Sequence, residues 1–294
     1  MATSRVHDIV IRGGTIVDGT GVPGFAGDVG MDGGSITAVG GSLEGNQVID
    51  AEGAIVAPGW VDVHTHFDGQ VAWDDALDPS FSNGVTTLVM GNCGVGFAPC
   101  PAGREETLIE LMEGVEDIPG SALSEGVPWG AWESFPEYLD FLGGREYSLD
   151  VGAQLAHGAL RFAVMGERGV NNEDATDDDV AEMRRLVAEA TAAGAVGFTT
   201  SRTIFHRSLD GTAVPGTYAT DHELSELVHG MADGGGGVFE AITSSSIGDM
   251  EQLGGERFMQ AEELALLARI SKATGQKITF TTVQNRDRPN DWRE

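Results

Sequence analysis

Cysteine is scarce: the 294-residue chain has two, Cys93 and Cys100. A disulfide framework is therefore not expected to hold the fold together. Lysine is scarcer still in proportion, with only Lys272 and Lys277. Lysine and arginine total 17 against 46 aspartates and glutamates, for a formal net charge of −29. Such a surface repels nucleic acid and anionic membranes, so neither is expected as a partner. No apolar run reaches the roughly 20 residues of a membrane-spanning helix. The start, Met1 to Asp8, lacks the basic opening and apolar stretch of a secretory signal. A cytoplasmic location is the expectation. The acidity also sets a requirement, because an anionic substrate would need a local cationic clamp.

What is present is enough for a sizeable core: 41% of the residues are hydrophobic, and the length suits one large domain with a smaller appendage. Residues 8 to about 57 read as short strands. Asp8 to Arg12 is followed by Gly13-Gly14, a turn signal, and then by Thr15 to Asp18. Asp28 to Met31 and Ser35 to Val39 flank Asp32-Gly33-Gly34, which reads as a hairpin turn. Val48 to Asp50 and Ala54 to Val56 complete a small all-β unit.

After Pro58 apolar strand-like runs alternate with helical patterns. The runs are Trp60 to His64, Thr86 to Met90, Val151 to Ala156, Val196 to Thr199, Val238 to Ile242 and Lys277 to Val283. Buried-looking strands separated by helices predict an α/β fold with a parallel sheet. One helix is well marked. Thr176 is its N-cap, Asp177 to Asp179 fill its first turn, and Val180, Met183, Leu186, Val187 and Ala190 recur at helical spacing up to Gly194. Thr220 with Glu223 three residues on predicts a capping box for a second helix. A third spans about 261 to 273 and stops at Gly275. The long interval from Pro99 to Leu149 predicts helices plus a loop reaching over the mouth of the sheet. The run Gly234 to Gly237 lies between a helix and a strand and reads as a connection rather than a phosphate cradle.

His64 and His66 stand two apart on a predicted strand, so both side chains point to the same face. They fall at the strand's C-terminal end, where a barrel of alternating strands and helices opens its active site. Two imidazoles so placed suit a divalent transition metal such as zinc.

The stretch Ile55 to His66, with Ala57-Pro58-Gly59-Trp60-Val61-Asp62 ahead of the two histidines, resembles the entry motif of the amidohydrolase superfamily. Gly84-Val85-Thr86-Thr87-Leu88-Val89-Met90-Gly91-Asn92-Cys93-Gly94 resembles its D-aminoacylase branch, the N-acyl-D-amino-acid deacylases. The resemblance implies an N-terminal β-sandwich segment, residues 1–57, followed by a (β/α)8-type barrel, residues 58–294, of which this chain holds the first six strands. It implies metal binding by His64, His66 and Cys93, with zinc or another divalent transition metal; a bound metal lowers a thiol's pKa and takes the thiolate, and the plain alternative for Cys93 is a small buried hydrophobe. It implies hydrolysis of a non-peptide C–N bond in a linear amide, with N-acyl-D-amino acids as the substrate class. The predicted fourth strand, Gly194 to Thr200, has no lysine, which argues against the branches that bridge two metals with a carbamylated lysine. Arg202, at a strand end, is a candidate clamp for a substrate carboxylate, its alternative being pairing with a nearby acid. His157, with Arg161 close behind, is a candidate pocket residue or a hydrogen-bonded structural histidine; His206 and Arg207 rank behind them. His7, His222 and His229 are given no role.

Two departures stand out. The family takes two further histidine ligands from strands five and six, and here neither strand has one; Glu240 or Gln284 is the candidate for the vacated space. The family is also longer, so the chain reads as an N-terminal portion, with the general base expected beyond residue 294. Open sheet edges are then expected, and a complementary chain supplying the remaining strands is a possible partner. The rival reading is a non-catalytic or truncated homologue that serves in binding or assembly.

Overall fold

The computed structural model describes residues 5–243 and 260–281. It divides into two compact units, Met1–Trp60 and Val61–Glu294. The first is a five-stranded sheet. Strands β1 (Val6–Ile16), β2 (Phe25–Asp32), β3 (Ser35–Val39) and β4 (Glu44–Asp50) lie in the order β3-β2-β1-β4, and β5 (Ile55–Val56) pairs with the end of β1. Gly33 and Gly34, both at positive φ, turn β2 into β3 as expected. Gly13-Gly14 is not the expected turn. β1 runs straight through it, and its register with β2 shifts between Ile11 and Gly14. The glycines make a β-bulge. A side chain at Gly14 would start 2.4 Å from Val56 Cγ2, so its absence lets β5 close on β1.

The second unit is built on a six-stranded sheet of β6 (Trp60–Asp62), β7 (Val85–Met90), β8 (Asp150–Ala156), β9 (Gly197–Ser201), β10 (Val238–Ile242) and β11 (Lys277–Phe280). The strands lie in chain order, and the ladders from β7 to β11 are parallel. Between them come α1 (Glu105–Glu116), α2 (Gly120–Gly126), α3 (Phe135–Gly143), α4 (His157–Met165), α5 (Glu167–Val170), α6 (Asp177–Ala193), α7 (Asp221–Asp233) and α8 (Gln260–Thr274). This is a parallel half-barrel of the (β/α)8 type. No helix among the described residues is long and apolar enough to cross a membrane. Edge strand β6 leaves Trp60 and Val61 exposed.

Leu88, Met90, Leu155, Phe198, Phe239 and Ala241 from the strands are buried against helical residues such as Met112, Leu160, Met183, Val187, Leu227 and Met231. The tryptophans of the long interval anchor its chain: Trp132 donates to the Phe97 carbonyl at 2.8 Å and packs on Tyr138 and Phe141. Helix α6 follows its pattern, with a reciprocal capping box between Thr176 and Asp179 and with Val180, Met183, Val187 and Ala190 buried. Thr176→Ala is expected to lower stability by about 1 kcal/mol, read as a shift of the urea midpoint at constant slope. At α7 only half of the expected box forms. Thr220 accepts from the Glu223 backbone, but the Glu223 carboxylate turns inward.

Candidate metal centre

β6 is shorter than expected. It ends at Asp62, and His64 and His66 follow it in irregular chain. The pair nevertheless stays beside β7, because Thr65 bonds the Val89 carbonyl through both its backbone N–H (3.0 Å) and its hydroxyl (2.7 Å). The two rings stand 5.4 Å apart, inclined at 68°.

Cys93 is brought to them by the turn that ends β7. It has φ 57, a left-handed conformation unusual for a side chain-bearing residue. Gly91 and Gly94 flank it, also at positive φ. A Cβ on Gly91 would lie 2.2 Å from the Gln154 carbonyl oxygen, and one on Gly94 2.7 Å from the Ser201 nitrogen. The turn is thus pressed against β8 and β9. Asn92 is fully buried and fixes it, donating to the carbonyls of Thr65 and Val89 and accepting from Gln154. The motif Gly-Asn-Cys-Gly is a device for projecting one thiol.

His64, His66 and Cys93 each offer a ligand atom, and these atoms lie within 4.8 Å of one another. The Cys93 sulfur is 3.3 Å from His64 Nε2 and 3.4 Å from His66 Nε2. Glu240, in the middle of β10, accepts from His64 Nδ1 at 2.6 Å. That leaves the His64 Nε2 lone pair facing Cys93, the carboxylate–histidine arrangement that orients metal-binding imidazoles. Gln154 joins Glu240 to Asn92. Glu116, at the end of α1, places Oε2 3.3 Å from His66 Nε2.

The electrostatics are those of a site short of positive charge. Burial, then the carboxylates of Glu116 and Glu240, push the Cys93 thiol far above its usual range. Burial raises Asp68 to about 7 and raises Glu116. Burial, then the neighbouring His64 and His206, lower His66 to about 3, so its ring is neutral and its lone pair available. His66 Nδ1 and Asp68 Oδ2 are buried without a hydrogen-bond partner. Two imidazoles, a sulfur and surrounding carboxylates fit a divalent transition metal in donor type and in charge.

The other expected residues have internal partners. The Arg202 guanidinium is buried and holds both Glu263 oxygens at 2.8 Å and the Ala219 carbonyl at 2.8 Å. This is the alternative of pairing with a nearby acid. His157, also buried, lies between the Thr200 hydroxyl and Glu223, each at 2.9 Å, and Glu223 is shared with Arg161. Gln284 lies outside the described residues. His206 has its Nδ1 3.0 Å from the Ser201 hydroxyl; burial, then His64, lower it to about 4. Glu116 went unread in the sequence, since nothing local separates it from the other glutamates of α1.

A half-barrel with histidines after its first strand and a cysteine after its second has the architecture of a metal-dependent hydrolase. The amidohydrolase family model matches residues 47–294, and the chain belongs to that family. D-aminoacylase of Alcaligenes xylosoxydans xylosoxydans is 32% identical over 235 residues, covering 79% of this chain and 44% of that protein. N-acyl-D-aspartate deacylase of the same organism is 35% identical over 195 residues, covering 66% and 36%. The structure of N-acyl-D-glutamate deacylase from Bordetella bronchiseptica, complexed with zinc and a phosphonate mimic of the tetrahedral intermediate, superimposes with a TM-score of 0.71. It is 28% identical and covers 93% of this chain and 51% of that one. The chain spans less than half the length of the curated relatives named here.

Proposed function

We propose that the protein is a metal-dependent hydrolase of non-peptide C–N bonds in linear amides, with N-acyl-D-amino acids as its substrate class. The convergence of His64, His66 and Cys93 within 4.8 Å carries this reading. The likeness to D-aminoacylase and to the two acidic N-acyl-D-amino-acid deacylases supports the substrate class. His64, His66 and Cys93 would hold the metal, zinc or a similar ion. When bound, such an ion polarises an amide carbonyl and makes water more acidic.

The chain's own residues prepare that site. Glu240 fixes the His64 ring, and the Asn92–Gln154 pair fixes the Cys93 turn. Burial keeps His66 neutral. A substrate carboxylate could use Arg202 only by displacing Glu263, and His157 only by opening its bonds to Thr200 and Glu223.

Metal analysis by mass spectrometry tests the reading. The purified protein should carry about one or more zinc ions per chain, as a site of this donor type does, and the His64→Ala/His66→Ala variant should lose them. A folded, metal-free protein after growth in zinc would sink the proposal. So would deacylase activity that survives the double substitution.

A further inference from the structure

Three protein donors and a water make a catalytic zinc site, and such a site can expand to a fifth ligand. The family resemblance would supply histidines from strands five and six. Here the fifth strand presents Glu240, whose carboxylate is engaged with His64 Nδ1. We propose that Glu116, the last residue of α1, is a direct ligand of the metal, a fourth protein donor supplied from a helix rather than from a strand, beside the position kept for water. This rests on the metal reading of the site.

Distances come first. Donors on a tetrahedral zinc, at about 2.0–2.3 Å from the ion, stand about 3.5 Å from one another. Cys93 to His64 is 3.3 Å, Cys93 to His66 is 3.4 Å and His66 to Glu116 is 3.3 Å. Its carboxylate also acts on the neighbouring Cys93 thiol, whose pKa it raises. It therefore borders the cluster at His66, outside the group whose ligand atoms all lie within 4.8 Å of one another, and joining it requires the side chain to turn inward.

Electrostatics point the same way. Glu116 stands at the negative end of the α1 dipole and is followed by Asp117, a left-handed cap. A carboxylate there is unfavourable for the helix. Its side chain is only 17% exposed, so water does little to relieve it. A cation against Glu116 would reverse both effects.

The helix end is also built into place. Gly114, inside the last turn of α1, would put a Cβ 2.4 Å from the Arg207 carbonyl oxygen and 2.6 Å from the Ser208 carbonyl carbon. Glycine inside a helix costs about 1 kcal/mol against alanine. Here it permits α1 to abut the segment after β9, which carries His206. The contact sets Glu116 at the mouth of the sheet.

Zinc affinity of the whole chain, measured by competition with a chromophoric chelator, tests the assignment. Glu116→Gln keeps the shape and removes the ligand. It should weaken zinc by more than about 100-fold, beyond the 10–100-fold that loss of an outer-shell partner costs. Glu240→Gln, which removes such a partner, should stay within that range. Glu110→Gln, on an exposed turn of the same helix, should leave affinity unchanged and so excludes a general charge effect. The cobalt form should change its visible absorption in Glu116→Gln, as its coordination changes. Glu116→Asp, which keeps the charge but shortens the reach, provides a second variant with an intermediate loss. A Glu116→Gln loss no larger than that of Glu240→Gln would overturn the assignment and leave the metal reading standing. Failure of the unmodified protein to bind zinc would overturn the metal reading itself.

Discussion

Glu223→Ala is expected to lower stability by about 3–5 kcal/mol, the usual loss when one member of a buried ion pair is removed. Glu223 accepts from His157 and from Arg161, and the three side chains are 1%, 0% and 2% exposed. Without the carboxylate, the Arg161 charge stays buried with no anion beside it. The same group gives the fold an acid limit. Burial works against ionising Glu223, but the hydrogen bond from His157 and the Arg161 charge outweigh it and bring the carboxyl to about 2, from an ordinary 4.5. A depressed carboxyl contributes its full stability above its unfolded pKa and loses it as pH falls through the folded one. The window is therefore about pH 4.5 down to 2, and the contribution is about 3 kcal/mol. His157 adds an earlier phase. Its burial lowers its pKa despite Glu223, so protonating it favours the unfolded chain as pH drops below about 6.5. Urea titrations between pH 7 and 3 should show stability falling throughout, with the lower phase reduced in Glu223→Gln. A pH-independent stability from pH 5 to pH 3 would contradict this account.

The strands of the second unit were legible because each is a short apolar run with a turn or helix signal on either side. Val238–Ile242 matches its predicted bounds, and Val85–Met90 and Asp150–Ala156 differ from theirs by one residue. Helix α6 was legible because cap, acidic first turn, apolar spacing and terminal glycine all agree. The bulge at Gly13-Gly14 was misread because a glycine pair marks a turn and a bulge equally well. What decides between them is the pairing partner, β2, which local sequence does not reveal.

The site divides along the same line. His64, His66 and Cys93 are visible because strand-end motifs bring them together within thirty positions of chain, a span of Cys93 from His64 of 29. The groups that complete or constrain the site come from afar. Glu240 meets His64 across 176 positions, Glu263 meets Arg202 across 61 and Glu223 meets His157 across 66. An acid on a helix reads as a solvated face until the helix is docked. Glu223 shows how a correct local signal can mislead: Thr220 caps α7, but the second half of the box is given up because a buried histidine and arginine compete for the carboxylate. The acidity of the chain fits the same picture. Around the cysteine and histidines stand the carboxyls of Asp68, Glu116 and Glu240, and a divalent cation among them would favour their ionised forms.

Gly91→Ala is expected to be as damaging as Glu223→Ala, and by another route. Gly91 has φ 85, which costs an L-residue about 1–3 kcal/mol. The added methyl would start 2.2 Å from the Gln154 carbonyl oxygen, which is backbone of β8 and has no rotamer by which to move away. Relieving that overlap adds about 1–3 kcal/mol of strain. The sum, about 2–6 kcal/mol, is a large share of the 5–15 kcal/mol that hold a typical domain together. The effect should reach the candidate metal centre as well. Gly91 is two residues from Cys93, and the turn between them is held by Asn92 on the Thr65 and Val89 carbonyls, the latter also accepting the Thr65 bonds that keep His64 and His66 beside it. If the turn rises off β8, the thiol and the imidazoles separate together. Gly91→Ala should thus lose both urea stability and zinc affinity, whereas Gly103→Ala, at a positive φ but with open space around it, should lose a little stability and no affinity. Equal zinc affinity in Gly91→Ala and the unmodified protein would mean that the glycine serves packing alone and that the turn does not position Cys93.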